Sequence, residues 1–175
     1  MYRSSVLGAV MTHHSTSSSS ADRKLAERVP VPPPLIYAAA FVLGAAAEFV
    51  APTPDLLPLP LAVAVGLVGG LAWLMLDPLA MWAFRRANTS VVPNTPAAAL
   101  VRAGPYRYTR NPMYLGMAVL LASAGLAFGL LWVLVFLPVV VALVDRLVIR
   151  REEAHLERAF GDEYRNYRRN VRRWL

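Results

Sequence analysis

The sequence lacks cysteine and is poor in charged side chains. None of its 175 residues is cysteine, which excludes disulfides, thiolate metal sites and cysteine nucleophiles. Only 17% of the residues are charged, whereas 57% are hydrophobic. A soluble domain usually has about 25% charged residues. The chain is therefore too apolar to cover itself with a polar surface, and we expect much of it to face lipid.

Several motifs that identify soluble-type enzymes are also missing. The sequence contains no G-x-G-x-x-G fingerprint, no P-loop, no H-E-x-x-H and no G-x-S-x-G. Their absence argues against a soluble-type nucleotide fold, a zinc metalloprotease and a serine hydrolase. His13 and His14 are adjacent near the N-terminus, but such a pair in a polar tail is usually solvated, so no metal site is predicted. The net charge of +7 comes from arginines beside apolar runs, which indicates a membrane surface rather than nucleic acid.

Apolar runs predict an all-α chain with three regions. Residues 1–34 are predicted to be a disordered tail, because they contain a serine run and a proline cluster that would break a helix. Residues 35–96 are predicted to hold two transmembrane spans and a linker, with the spans at residues 35–50 and 61–76. Asp77 and Pro78 mark the point where the second span leaves the hydrocarbon or kinks. Residues 97–175 form the third region.

The third region begins with a run that is too long for one span. Residues 113–144 are 32 residues without a charge. One helix of that length would measure about 48 Å, against a hydrocarbon core of about 30 Å. Two antiparallel helices that turn near residues 125–129 fit better, and small residues such as Gly116 and Gly125 would let them pack closely. The sequence therefore predicts a C-terminal helical hairpin followed by cytoplasmic helices.

The basic residues support a total of about four transmembrane helices. Of the 18 lysines and arginines, four precede the first span, five lie between spans two and three, and nine follow span four. The two other connections contain none. Four spans place all basic residues on one side, which the positive-inside rule assigns to the cytoplasm. We therefore predict a multi-pass integral membrane protein with both termini in the cytoplasm.

Two predicted cytoplasmic segments are rich in polar and aromatic groups. In the first, residues 100–116, Asn111 and Pro112 suit the N-cap and first turn of a helix. Its arginines, Arg102, Arg107 and Arg110, could also form a donor-rich mouth for an anion. In the second, residues 150–164, Gly161 suits a helix C-cap. Tyr164 and Tyr167 begin a helical stripe that we interpret as an interfacial face.

Taken together, the two segments resemble the isoprenylcysteine carboxyl methyltransferase family and its phospholipid methyltransferase relatives. The first segment matches the family pattern G-x-Y followed by R-[HN]-P-x-Y-x-G, and the second matches E-E-x-x-L-x-x-x-F-G-x-x-Y-x-x-Y. An apolar hairpin of about 35 residues separates them, as in the family. The resemblance covers residues 97–174. It implies a membrane-embedded enzyme that uses S-adenosylmethionine without a Rossmann fold and acts on a lipophilic small molecule or a membrane lipid.

The resemblance also implies which residues form the site. Carried over position by position, the cofactor-binding residues are Leu100, Val101, Tyr106, Asn111, Tyr114 and Glu152. Two positions depart from the family. Asn111 stands where a histidine is frequent, so a titrating imidazole is missing, although asparagine still donates a hydrogen bond. Val148 stands where prenylcysteine enzymes have a substrate-binding arginine, so we predict that Arg146 or Arg150 takes that catalytic role.

Two other functions remain open from the sequence. Membrane sterol-type reductases that use NADPH share this C-terminal architecture. They usually have a glutamate directly after the motif glycine and an asparagine before the motif tyrosine, whereas this sequence has Met117 and Met113 at these positions. A non-catalytic membrane subunit would keep the scaffold without needing the tyrosines, arginines and glutamates of both motifs together. Methyl transfer is the reading that the motifs favour.

Overall fold

The computed structural model describes residues 31–89 and 98–175, and these residues fold into helices. Six α-helices follow in chain order: α1 (Pro33–Val50), α2 (Leu59–Arg86), α3 (Pro112–Ala127), α4 (Leu131–Val144), α5 (Arg150–Phe160) and α6 (Asp162–Asn170). Within these two described ranges there is no strand, only an isolated bridge between Thr109 and Arg172. The all-α prediction is confirmed. Most of the predicted tail lies outside the described residues, as do His13, His14 and residues 90–97 of the linker region.

Within residues 31–89 and 98–175, three helices are long and apolar enough to cross a membrane. They are α1, α2 and a continuous helix, Leu131–Phe160, that joins α4 to α5. The fourth apolar helix, α3, has 16 residues, so it is shorter than a usual span. Many large apolar side chains on these helices point outwards, and Phe49 is 90% exposed. Such a surface suits lipid, and the count of four spans stays a prediction.

Prolines mark helix positions differently from the predicted pattern. α1 begins at Pro33, inside the cluster that was expected to precede it, because proline fits the first turn of a helix. α2 runs through Pro78 to Arg86 without interruption, and the exit of the span from the hydrocarbon at Asp77 and Pro78 stays a prediction. Proline lacks only one hydrogen-bond donor, and packing of α2 along α3 holds the helix together at that point.

The predicted hairpin is present, and glycines allow its close packing. α3 and α4 are joined by a short turn in which Gly129 has φ +66°, a conformation that favours glycine. On the other side of α3, Gly69 of α2 lies so close to the Ser123 side chain that a Cβ would overlap it. α2 packs on α3, and α1 packs mainly on α4.

A π-helical turn connects α4 to α5. Residues Asp145–Ile149 form this turn between α4 and α5, and it changes which side chains face inwards. Val148 and Ile149 are fully buried, whereas Arg146 and Arg150 are exposed. Gly161, with φ +51°, ends α5 as predicted.

The tyrosine stripe of α6 is buried, so its interpretation as an interfacial face is wrong. Tyr164 is 1% exposed and Tyr167 is 7% exposed. The two rings contact each other at a centroid distance of 6.2 Å. α6 packs against the segment before α3, where Tyr167 makes a hydrogen bond to Tyr106. The helical spacing of the tyrosines could not distinguish these alternatives, because the same spacing suits a membrane interface and a protein core.

Candidate active site

The two polar segments meet at the N-terminal end of α3. The Tyr114 hydroxyl donates a hydrogen bond to Glu152 Oε1 at 2.8 Å, joining α3 to α5. The Tyr167 hydroxyl donates to the Tyr106 carbonyl at 2.8 Å, joining α6 to the 3₁₀ turn Gly104–Arg107. Segments that are 38 and 61 residues apart in sequence therefore form one cluster.

Tyr106 anchors the turn in a small apolar cluster. Its ring packs edge-to-face on Phe84 of α2, with centroids 5.4 Å apart, and Val101 and Met113 belong to the same cluster. Burial raises the pKa of Tyr106 well above its usual range, and the neighbouring Tyr167, Glu152 and Asp77 add to this by repelling a phenolate. Tyr106 therefore stays a neutral hydrogen-bonding group in the ordinary pH range.

Asn111 occupies the N-cap position of α3, but its side chain does not cap the helix. Its amide Nδ2 instead donates to the Arg173 carbonyl at 2.9 Å. The same carbonyl accepts a hydrogen bond from the Thr109 hydroxyl at 3.1 Å, and the Arg110 backbone N–H donates to the Arg172 carbonyl. The C-terminal segment, residues 171–175, is thus tied to the residues that lead into α3.

Glu153 is the centre of a buried ion-pair network. Its carboxylate accepts hydrogen bonds from Arg173 at 2.6 and 3.0 Å and lies 3.2 Å from an Arg110 guanidinium nitrogen. Arg173 also binds Asp145 in the π-helical turn at 3.0 Å. These contacts join α5, the π-helical turn, the C-terminal segment and the entrance to α3.

Tyr164, beside this network, and Arg173, within it, both have shifted pKa values. Burial raises the pKa of Tyr164 to about 12, with Glu153 adding to the shift and Arg110 opposing it. Hydrogen bonding to Glu153 raises the pKa of Arg173 above its usual value. Burial therefore keeps Tyr164 neutral, and the network keeps Arg173 charged. The adjacent Glu152 accepts a hydrogen bond from Tyr114 instead.

The predicted arginine mouth is largely occupied by internal contacts. Arg102 pairs with Glu163 at 2.8 Å on the surface, and Arg110 pairs with Glu153. Arg107 is exposed. Arg110 still has a buried Nε without a hydrogen-bond partner among residues 31–89 and 98–175. Among the arginines that the sequence predicts at the anion-binding mouth, Arg110 is thus the buried one with an N–H group that can still donate a hydrogen bond.

The residues predicted for the site fall into two groups. Tyr106, Tyr114 and Glu152 lie near one another, and Val101 is buried in the same apolar cluster as Tyr106. The Asn111 side chain binds the C-terminal segment instead, and Leu100 is half-buried. Arg146 and Arg150 lie on the exposed side of the continuous helix, and Arg150 pairs with Asp145 at 2.9 Å. The roles of all eight residues stay predictions.

Sequence reasoning missed two polar residues in the apolar helices. The Tyr37 hydroxyl of α1 donates to the Tyr114 carbonyl at 3.0 Å. Asp77 of α2 accepts a hydrogen bond from the Trp73 indole at 3.0 Å. Asp77 could have been recognised from the sequence, because charged residues within apolar runs are rare and often functional.

An apolar groove lies between α1 and α4. It has a volume of about 370 Å³, with Leu35, Ala39, Ala40 and Val139 among its lining residues. Its walls are almost entirely apolar, so it suits hydrocarbon better than water.

Comparison with known proteins assigns the chain to a family. The profile of the phospholipid methyltransferase family matches residues 60–163, more than half of the chain. The chain belongs to the phospholipid methyltransferase family. The match begins in α2, so it includes a helix that the motif resemblance had left outside.

The family assignment makes the chain a member of a group of membrane methyltransferases. An uncharacterised protein of Haemophilus influenzae is 43% identical to this chain over 65 residues. The matched stretch covers 36% of this chain and the whole of the Haemophilus protein. No solved structure matches the chain.

Proposed function

We propose that this protein transfers a methyl group from S-adenosylmethionine to a lipophilic acceptor at the cytoplasmic face of a membrane. The observation that carries the proposal is the hydrogen bond between Tyr114 and Glu152. It brings both motifs of the family resemblance to one place. The family match supports methyl transfer as the reaction class.

The residues present fit such a methyl donor. Glu152 is a half-buried carboxylate beside tyrosine rings, and carboxylates and aromatic faces both attract cations such as an ammonium or a sulfonium. The unfilled Nε of Arg110 suits a carboxylate. When bound, the cofactor would supply an activated methyl group on a sulfonium.

The chain itself would contribute alignment and exclusion of water. The Tyr114 hydroxyl is oriented by its hydrogen bond to Glu152 of α5. Tyr106 is held by ring packing on α2 and by the hydrogen bond from Tyr167 of α6 to its backbone carbonyl. Displacement at a methyl carbon needs the nucleophile and the leaving group in line, and preorganised positioning is the main way to accelerate it. The apolar groove between α1 and α4 would take the hydrocarbon part of the acceptor.

The topology supports a site at the inner membrane surface. If α1 to α4 each cross the bilayer, every lysine and arginine lies on the side where α3 begins and α4 ends. Under the positive-inside rule, both termini and the candidate site would then lie on the cytoplasmic side. A water-soluble donor then reaches the site from one side and a lipophilic acceptor reaches it from the bilayer.

Titration of the purified protein in detergent tests the proposal. We expect S-adenosylmethionine to bind with an affinity on the order of micromolar, and Glu152→Gln to weaken it by about 10-fold or more, because a charged hydrogen-bond partner is lost. Tyr106→Phe should also weaken it. Glu157→Gln is the control, since Glu157 lies on the same helix but pairs with Arg168.

Other ligands separate the alternatives. Clear binding of NADPH without binding of S-adenosylmethionine would favour the reductase. Binding of neither would favour the non-catalytic subunit. Incubation with membrane lipids and methyl-labelled cofactor would identify the acceptor class from the labelled product.

A further inference from the structure

Arg110 is a buried guanidinium that the chain satisfies only in part. Its side chain is 10% exposed, and its Nη1 lies 3.2 Å from Glu153 Oε1. Neither Nη1 nor Nε makes a hydrogen bond of normal geometry with any residue in 31–89 or 98–175. A buried donor without an acceptor is costly. These two N–H positions are therefore available to the oxygens of an anionic ligand.

Glu153 leaves Arg110 unsatisfied because Arg173 occupies both oxygens of the Glu153 carboxylate. Arg173 Nη2 donates to Oε2 at 2.6 Å, and Arg173 Nε donates to Oε1 at 3.0 Å. This is the two-pronged geometry that a guanidinium and a carboxylate favour. Arg110 keeps only the longer contact with Oε1. The three side chains together retain one positive charge, and Arg110 is the more buried of the two arginines.

The position of Arg173 is fixed by the residues that flank Arg110. Asn111 Nδ2 and the Thr109 hydroxyl both donate to the Arg173 carbonyl. The Arg173 side chain is held at its other end, where Nη1 lies 3.0 Å from Asp145 Oδ1. The arginine that occupies the carboxylate of Glu153 is thus attached to the same short segment that carries Arg110.

The adjacent end of α3 also favours an anion. The Asn111 side chain does not cap this 16-residue helix, and its first turn contains no acidic residue. The positive end of the helix dipole is therefore not neutralised by a side chain of the first turn, and such helix ends attract anions. The buried donors of Arg110 and the start of α3 are neighbours in sequence, so they favour the same kind of ligand group.

We propose that Arg173 is a positioning residue that keeps Arg110 available to bind the carboxylate of S-adenosylmethionine. The inference rests on the proposed function and deepens it, because it names the residue that makes Arg110 available. With Arg173 in place, Glu153 already has two charged hydrogen bonds. Without Arg173, Glu153 would accept both prongs of the Arg110 guanidinium. That pair would then carry no net charge to attract an anion.

The test compares two ligands that differ only in the carboxylate. The purified full chain in detergent is titrated with S-adenosylmethionine and with decarboxylated S-adenosylmethionine. Arg173→Met removes the guanidinium, and Arg173→Lys keeps the charge but cannot span both carboxylate oxygens in the same way. Arg172→Met is the control, because the side chain of this neighbouring arginine is exposed and only its backbone carbonyl bonds to Arg110.

A double variant separates positioning from direct contact with the ligand. Glu153→Gln combined with Arg173→Met removes the arginine and also the carboxylate that would capture Arg110. If Arg173 acts only by holding Glu153, Arg110 is available again and the affinity for S-adenosylmethionine returns. If Arg173 itself contacts the ligand, the affinity of the double variant stays as low as that of Arg173→Met.

We expect the wild-type protein to prefer S-adenosylmethionine over the decarboxylated form by about 10-fold or more, the usual effect of one charged hydrogen bond. Arg173→Met should weaken S-adenosylmethionine by about 10-fold and the decarboxylated form by less than about twofold. Arg173→Lys should give a smaller loss of the same kind, and Arg172→Met none. The double variant should regain the carboxylate preference. Thermal unfolding reports whether each variant is folded, and Arg173→Lys still tests the proposal if Arg173→Met is not.

Each opposing result has a distinct meaning. Equal weakening of both ligands in a folded Arg173→Met protein overturns the positioning role, since the loss would then be general. A folded double variant without recovery also overturns it. So does a wild-type protein that binds both ligands equally well, and in all three cases methyl transfer is left intact. A wild-type protein that binds neither ligand overturns the proposed function itself.

Discussion

Replacing Glu153 with alanine should destabilise the protein more than any nearby surface change. The Glu153 and Arg110 side chains are each 10% exposed. Arg173 contributes two further hydrogen bonds to the same carboxylate. Glu153→Ala would leave the Arg110 guanidinium buried without a carboxylate, and breaking a buried pair in this way costs about 3–5 kcal/mol of unfolding free energy.

Glu157 provides a matched control on the same helix. It also has two arginine partners, at 3.0 and 3.9 Å, but its side chain is 33% exposed and theirs are about half exposed. Exposed pairs of this kind are worth about 0–1 kcal/mol. The measurement is equilibrium unfolding in mixed micelles with increasing denaturing detergent, followed by the fluorescence of the four tryptophans.

A double variant tests whether the loss comes from an uncompensated charge. Glu153→Ala combined with Arg110→Met should recover part of the stability, because neither buried charge then remains. Equal destabilisation by Glu153→Ala and Glu157→Ala would refute the reasoning. A double variant whose loss of stability equals the sum of the losses of the two single variants would also refute it.

Two further predictions concern packing and a buried hydrogen bond. Gly69→Ala should lower stability by about 1–3 kcal/mol, because the added methyl group overlaps a serine of α3. Gly70→Ala should not lower it, because a Cβ there meets nothing within 4 Å. Equal losses in the same unfolding assay would contradict the packing of α2 on α3. Tyr167→Phe should cost about 1–3 kcal/mol because the buried Tyr106 carbonyl loses its donor. Tyr108→Phe, at a ring that is 77% exposed, should change stability by no more than about 0.5 kcal/mol, and a similar effect of both tyrosine variants would show that the buried hydrogen bond contributes nothing.

The hairpin was predictable because its sequence leaves few alternatives. A charge-free run of 32 residues is too long for one span, and glycine can adopt the positive φ that a tight turn requires. Helix ends were less predictable. Pro78 stays inside α2 because long-range packing on α3 outweighs its local cost.

Adjacent glutamates show why the site could not be read in full from the chain. Glu152 and Glu153 are the same residue type at consecutive positions, and the motif resemblance favoured Glu152. In the structure, Glu153 is neutralised by Arg110 and Arg173, whereas Glu152 accepts a hydrogen bond from Tyr114. The difference comes from contacts with residues between 20 and 43 positions away.

The sequence by itself determined the class of protein, the hairpin and the two motifs, because hydrophobic runs and helix-breaking residues act locally. Tertiary structure alone decided that Tyr164 and Tyr167 are buried, that Asn111 binds the C-terminal segment, and that Asp77 faces Gly116. These are relations between helices. Their energies depend on which surfaces pack together and on how completely each charge loses its water, and neither quantity is a property of a single stretch of chain.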